Sequence, residues 1–153
     1  MLIRGANAVG YTSYPDNVVR NFIQLSAKNG IDVFRVFDSL NSLDNMKVAI
    51  DEVRNQNKIA EVALCYTGDI LDSNRPKYNL DYYVKMAKEL QNAGANIIAI
   101  KDMAGLLKPQ AAYNLVSALK DAVTVPIHLH SHEGSGNTIY SYGRAVAVSY
   151  THL

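Results

Sequence analysis

Three of the chain's four histidines stand at i, i+2 and i+4 in Val125-Pro-Ile-His128-Leu-His130-Ser-His132, directly ahead of the small-residue turn Glu133-Gly134-Ser135-Gly136. Alternate side chains of an extended strand share a face, with successive same-face residues roughly 6.6 Å apart. His128, His130 and His132 therefore project the same way, and two imidazoles at that spacing can lean onto one metal ion. Such a site needs at least one more protein ligand, commonly a carboxylate, for which Asp38, Asp102 and Glu133 are the candidates. The competing reading is a set of hydrogen-bonded strand histidines with no ligand role. His152, in the terminal stretch, is given no part.

Lys101 is the second chemical signal. It closes the apolar run Ile97-Ile-Ala-Ile100, and desolvation at such a place lowers an amine's pKa and makes it nucleophilic. As a Schiff-base amine, or as a carbamate formed with CO2, it becomes useful chemistry; otherwise it snorkels to solvent and pairs with Asp102. Arg4 ends Leu2-Ile3-Arg4, where a guanidinium fork suits bidentate capture of a substrate carboxylate or, equally, a structural ion pair. Tyr11 follows closely enough to reach the same place. Arg35 lies inside a strand pattern, which calls for a structural partner. Tyr82, Tyr83 and Tyr113 fit helix faces.

The elements that must position these residues follow from periodicity. Apolar or β-branched runs at residues 1–3, 31–37, 61–66, 95–100 and 125–129 start roughly every 30 residues and read as strands. Between them lie helical patterns. The first runs from about Pro15 with Val18, Val19, Phe22, Ile23 and Leu25 on one side, ending at Asn29-Gly30. The next covers residues 42–55, carrying Met46, Val48, Ala49, Ile50 and Val53. A third covers residues 80–93 and closes at Gly94. A fourth opens at Lys108-Pro109 with Ala112, Leu115, Val116 and Leu119, and a fifth follows Gly136-Asn137. Residues 30–38 and 94–102 repeat a helix-capping Gly, an apolar strand and an Asp at identical spacing.

Strand and helix alternating at this length predict parallel strands joined by crossovers, an α/β fold. Polar residues gather at the C-terminal ends of successive strands: Arg4, Asp38, Thr67 with Asp69, Lys101 with Asp102, then His130 with His132. A (β/α)8 TIM barrel builds its active site from those ends, whereas an open sheet concentrates ligand contacts at one switch point. The barrel is the better fit. With about five βα units visible where eight are needed, the chain reads as part of one.

Composition narrows the function classes. At 153 residues and 48% hydrophobic content, the chain is the size of one ordinary globular domain. Its net charge of +1, without blocks of like charge, favours neither nucleic acid nor an anionic membrane. The single cysteine, Cys65, sits in an apolar run and reads as a small buried hydrophobe, with no disulfide framework possible. No signal-peptide pattern and no 18-residue apolar run occurs, so cytoplasm is the expected compartment.

Taken together, Arg4-Gly-Ala-Asn-Ala-Val-Gly-Tyr11, Val33-Phe-Arg-Val-Phe-Asp-Ser-Leu-Asn41, Cys65-Tyr-Thr-Gly-Asp69, Ile100-Lys-Asp-Met-Ala-Gly-Leu-Leu-Lys-Pro109 and His128-Leu-His-Ser-His132 strongly resemble the carboxyltransferase domain of the pyruvate carboxylase family. The α subunit of oxaloacetate decarboxylase and the transcarboxylase using methylmalonyl-CoA share most of these motifs. The resemblance implies a (β/α)8 barrel with a divalent metal, Zn or Mn, at its mouth, held by His130, His132 and a carbamate on Lys101. It implies that Arg4 binds pyruvate's carboxylate and keto oxygen and steadies the enolate, with Tyr11 nearby, and that His128 is not a ligand. The implied partners are pyruvate and oxaloacetate, a separate biotin carrier domain, and further copies of a homo-oligomeric parent.

The chain departs from the family in three respects. An aspartate ligand and a substrate-site glutamine would precede Met1, and a threonine that exchanges protons with biotin would follow Leu153. The family's Asp-Thr-Ser-Gly is here Glu133-Gly134-Ser135-Gly136. Residues 148–153 match nothing expected and are set apart from a partial barrel domain over residues 1–147. Two rivals stand beside the carboxyltransferase reading. Metal-dependent acyl-CoA lyases share the strand His-x-His but carry Asp-Thr where this chain has Lys101-Asp102. The other rival is a noncatalytic half barrel.

Overall fold

The computed structural model describes residues 1–149. Five strands, β1 (Leu2–Ile3), β2 (Val33–Val36), β3 (Ile59–Cys65), β4 (Ile97–Asp102) and β5 (Ile127–Ser131), alternate with five helices, α1 (Asp16–Lys28), α2 (Leu43–Asn55), α3 (Leu80–Asn92), α4 (Pro109–Ala122) and α5 (Thr138–Ser149). All neighbouring strands are parallel, and their order across the sheet is β1-β2-β3-β4-β5. Each crossover thus sets the next strand beside the last without ever reversing. A doubly wound sheet would reverse its order at a switch point, so this is an arc of a barrel.

The strands divide their side chains between two faces. Ile3, Phe34, Val36, Val62, Leu64, Ile98 and Ile100 lie fully buried beneath the helices. Ile23, Met46, Ile50, Leu90, Leu115 and Leu119 meet them from the helix side. Burying each such side chain stabilises the fold by about 1.5–3 kcal/mol, which makes this layer the main source of cohesion. The opposite face is polar, carrying Arg35, Glu61, Lys101, His128 and His130 among the small residues Ala63 and Ala99. That division puts the chemistry inside the arc.

Helix α1 differs from expectation in its buried side. Val19, Ile23 and Ala27 form the inner stripe, while Val18 and Leu25 are 41% and 51% exposed. Residues at i, i+4 and i+8 define the line that meets the sheet, and Val18 and Leu25 fall on its flank. Ser42 and Asn79 cap α2 and α3 through their side-chain oxygens, which accept from the backbone N–H of Asn45 and Tyr82. Helix α5 runs through the expected 147/148 boundary to Ser149, and Val148 packs partly buried against the core. Residues 150–153, including His152, lie outside the described residues. Among the described residues no helix is long and apolar enough to cross a membrane.

The internal repeat has a structural cause. Gly30 and Gly94 adopt φ of +99° and +105°, values open to glycine at a helix end, and turn the chain into β2 and β4. Asp38 and Asp102 then organise the loops after those strands. Asp38 Oδ2 accepts the N–H of Leu40 and Ser42 at 2.9 and 3.0 Å, while Asp102 accepts those of Ala104, Leu106 and Leu107.

A buried charge ties α1 to α2. Glu52 is 3% exposed and accepts hydrogen bonds from Arg20, Gln24 and Gln56 at 3.1, 2.9 and 2.8 Å. Burial pushes its carboxyl up, but the donors from Gln24, Arg20 and Gln56 outweigh that and hold it below the ordinary glutamate value. A carboxylate whose folded pKa lies below its unfolded one adds stability at neutral pH and loses it as pH falls through the unfolded and then the folded value. Thermal melts are expected to show Tm falling as pH drops below about 5. Glu52→Gln should cost about 2 kcal/mol at neutral pH and flatten that slope.

Candidate active site

At the C-terminal end of the arc, the sheet's polar face opens into a hollow of about 530 Å3 lined by Arg4, Arg35, Phe37, Glu61, Lys101, Met103, His130 and His132, with Met1, Leu2 and Val33 at its side. Five strands or their following loops contribute, because the even members of β1 and β5 and the odd members of β2, β3 and β4 share that face. Small residues keep it open: Ala63 and Ala99 stand opposite one another in the β3–β4 register.

Lys101 and His130 are register partners on β4 and β5. Lys101 is 6% exposed, and its Nζ sits 5.0 Å from the centre of the Phe37 ring. The expected alternative, pairing with Asp102, does not occur, since that carboxylate is 1% exposed and taken up by loop amides. Burial lowers the Lys101 pKa; Cys65 opposes that shift, and the cations Arg35 and Arg4 reinforce it. A less basic amine is neutral more often and so more able to add CO2. Cys65, beside it on β3, is 3% exposed and its thiol is pushed up to about 11 by burial, against the pull of Lys101, which agrees with its reading as a small hydrophobe.

The His130 ring lies 5.1 Å from that of His132, edge to face. His130 Nε2 is buried and has no hydrogen-bond partner among the described residues. A buried polar atom left unpaired costs about 1–3 kcal/mol, so its retention here points to a ligand role. Burial lowers the His130 pKa, and Lys101 and Arg35 push the same way, which keeps the ring neutral and its lone pair available. Two imidazoles, one with an orphaned nitrogen, and a desolvated lysine suit a borderline divalent cation. Among the described residues no third His, Cys, Asp or Glu joins them in a metal-binding group. Asp102 is committed to loop amides, Asp38 to loop amides and the Asn45 side chain, and Glu133 is exposed, so the carboxylates considered as third ligand do not reach the pair.

His128 behaves differently from its neighbours. Its Nδ1 meets Glu61 Oε1 and lies 2.9 Å from Arg35 Nη2, while Arg35 forms a bidentate pair with Glu61 at 3.0 and 3.1 Å. Arg35 thus has the structural partner expected of it. Glu61 is the residue that sequence reasoning missed. The signal was present, since a carboxylate inside Ile59-Ala-Glu-Val-Ala-Leu-Cys cannot be buried unpaired. Arg4 pairs with none of the described carboxylates, and its guanidinium lies 4.4 Å from the centre of the Tyr11 ring. Tyr11 is 88% exposed and, with Arg4, Asn7 and Asp38, lines a second hollow of about 250 Å3 beside the first.

These features have close counterparts in known proteins. The HMGL-like family pattern matches residues 27–151. Pyruvate carboxylase of Bacillus subtilis (strain 168) is 65% identical over 146 residues, 95% of this chain and 13% of that protein. Human mitochondrial pyruvate carboxylase is 54% identical over 137 residues, 89% of this chain and 12% of that protein. Among solved structures, the carboxyl transferase domain of Rhizobium etli pyruvate carboxylase with pyruvate and biocytin superposes with a TM-score of 0.95 at 57% identity, covering 97% of this chain and 25% of that one. The chain therefore spans about an eighth of the length of the curated relatives it matches. It belongs to the HMGL-like family, in which its likeness is to the carboxyltransferase domain of pyruvate carboxylases.

Proposed function

We propose that this chain forms part of a biotin-dependent carboxyltransferase barrel that moves CO2 from carboxybiotin to pyruvate, giving oxaloacetate. The observation that carries the reading is the juxtaposition of a desolvated Lys101 with His130, whose Nε2 is buried and unpaired. His130, His132 and Lys101, the last as a carbamate, would hold a divalent metal, zinc or manganese. When bound, such an ion supplies a Lewis acid that steadies an enolate oxygen.

The remaining roles belong to the chain's own side chains. In forming the carbamate, neutral Lys101 Nζ attacks CO2, a C–N bond forms, and the amine proton leaves to solvent. Arg4, free of a carboxylate partner, presents its fork to pyruvate's carboxylate and keto oxygen. Carboxybiotin would supply CO2 and, on releasing it, a ring nitrogen able to take the proton that pyruvate's methyl group loses. The enolate carbon then bonds to CO2, while the Arg4 cation holds the oxygen where negative charge develops. Phe37, Met103 and Leu2 wall the hollow with apolar surface, which strengthens those electrostatic contacts. Biotin arrives on a separate carrier domain, and the parent is a cytoplasmic homo-oligomer.

A second reading, the oxaloacetate decarboxylase α subunit, uses the same residues in the reverse direction. The test is to graft this segment into the Bacillus subtilis pyruvate carboxylase in place of the 146 residues it matches. The grafted holoenzyme is expected to make oxaloacetate from pyruvate, bicarbonate and ATP. The 153-residue chain alone is expected to be inactive, since the outer edges of β1 and β5 are unpaired among the described strands. A folded graft that carboxylates no pyruvate would sink the proposal.

A further inference from the structure

The interior of a barrel below its mouth is ordinarily filled by branched apolar side chains. Here that layer holds Arg35, Glu61 and His128. Glu61 and His128 come from β3 and β5, which are not neighbours, and their side chains meet across β4. They can do so because the β4 residue in register with His128 is Ala99, whose methyl leaves the lane clear. Arg35 of β2 closes the group by gripping both oxygens of Glu61, which is 5% exposed, and touching His128 Nδ1. The clamp spans four strands from residues that share one face.

Its position decides what it does. His128 and His130 are successive residues on the inner face of β5, and β5 is hydrogen-bonded to β4 alone among the described strands. On its other edge the Tyr142 hydroxyl of α5 accepts the N–H of Ser131 at 3.1 Å; neither edge contact touches the inner face, where the roll of the strand decides how His130 and His132 point relative to Lys101. We infer that Glu61, fixed by Arg35, is a positioning residue that anchors β5 through His128 and thereby aims His130 and His132 at the metal position. Neither Glu61 nor His128 is a ligand in this arrangement. The inference rests on the proposed metal-holding role of His130, His132 and Lys101, and it adds the part that orients them. Groups that orient metal ligands in this way typically change metal affinity by about 10–100-fold when removed.

The experiment measures affinity for manganese alone, by electron paramagnetic resonance of the free ion, in the grafted holoenzyme. Asparagine places a donor where His128 carries Nδ1, whereas leucine keeps the bulk without it. Glu61→Ala and His128→Leu are each expected to weaken manganese binding about 10-fold or more, and His128→Asn to restore most of the loss. The Glu61→Ala/His128→Leu double variant should be no weaker than the poorer single one, because both break one clamp. Circular dichroism melts separate this from unfolding, since a merely structural role would lower Tm in His128→Asn and His128→Leu without a matching change in metal affinity. Wild-type affinity in folded His128→Leu, with His130→Ala losing the metal, overturns the positioning inference and leaves the proposed function standing. A wild-type graft that binds no manganese overturns both.

Discussion

Lys101→Ala is expected to lower carboxyl transfer in the grafted holoenzyme by about 10²–10³-fold while leaving the barrel folded. The side chain points into the hollow and not into the helix-covered core, so its loss opens space where solvent or substrate already enters. What disappears is the group proposed to become a carbamate. Lys101→Arg sharpens the test, because arginine keeps the positive charge but cannot add CO2. If an ammonium charge were the working feature, arginine would restore activity; the carbamate reading expects Lys101→Arg to be as poor as Lys101→Ala. Steady-state oxaloacetate formation with each variant checks this, and full activity in Lys101→Ala would remove the carbamate role outright.

The second large effect is expected at Arg4. Its guanidinium lines both hollows at the mouth and has no carboxylate partner among the described residues. A fork left unpaired at the edge of a cavity is poised for a planar anion, and lysine offers only a point charge. Arg4→Lys should lower kcat/KM for pyruvate by about 10²-fold, with the loss divided between binding and the enolate-forming step. Tyr11 lies against the guanidinium face of Arg4 4.4 Å away, and its proposed part is to act through that contact. At so exposed a position that contact is worth about 0.5–1 kcal/mol, so Tyr11→Ala should cost only a few-fold and Tyr11→Phe almost nothing. A Tyr11→Ala loss as large as that of Arg4→Lys would show that Tyr11 has a role of its own.

Most of the architecture was legible because periodicity and capping residues report local structure directly. The five strands and five helices occupy the expected segments, and Gly30, Gly94 and Pro109 punctuate them as their backbone preferences require. The barrel arc followed from where Arg4, Lys101, His130 and His132 fall, and the unbroken strand order agrees with it. Val18 and Leu25 were harder, since a helical pattern shows which residues lie near one side but not which of them the sheet covers.

The candidate site was legible where one residue type suggests one chemistry, and less so where partners decide the role. His128, His130 and His132 look alike in sequence; only the approach of Glu61 across β4 separates the first from the others. Asp38 and Asp102 look like metal ligands for the same reason, yet Asp102 spends its oxygens on loop amides and Asp38 divides its own between loop amides and the Asn45 side chain. Glu61 escaped notice because its partner lies 26 residues away on another strand. A buried charge inside an apolar run is the sign to follow in such cases, even before the partner is known.

The proposed metal-assisted carboxyltransferase site built on Lys101, His130 and His132 makes oxaloacetate decarboxylation in the grafted holoenzyme depend on metal, which is read before and after chelation. Decarboxylation should stop when the metal is stripped, return with added zinc or manganese, and stay absent in His130→Ala under both conditions. Decarboxylation that survives chelation, or that proceeds unchanged in His130→Ala, would contradict the proposed site.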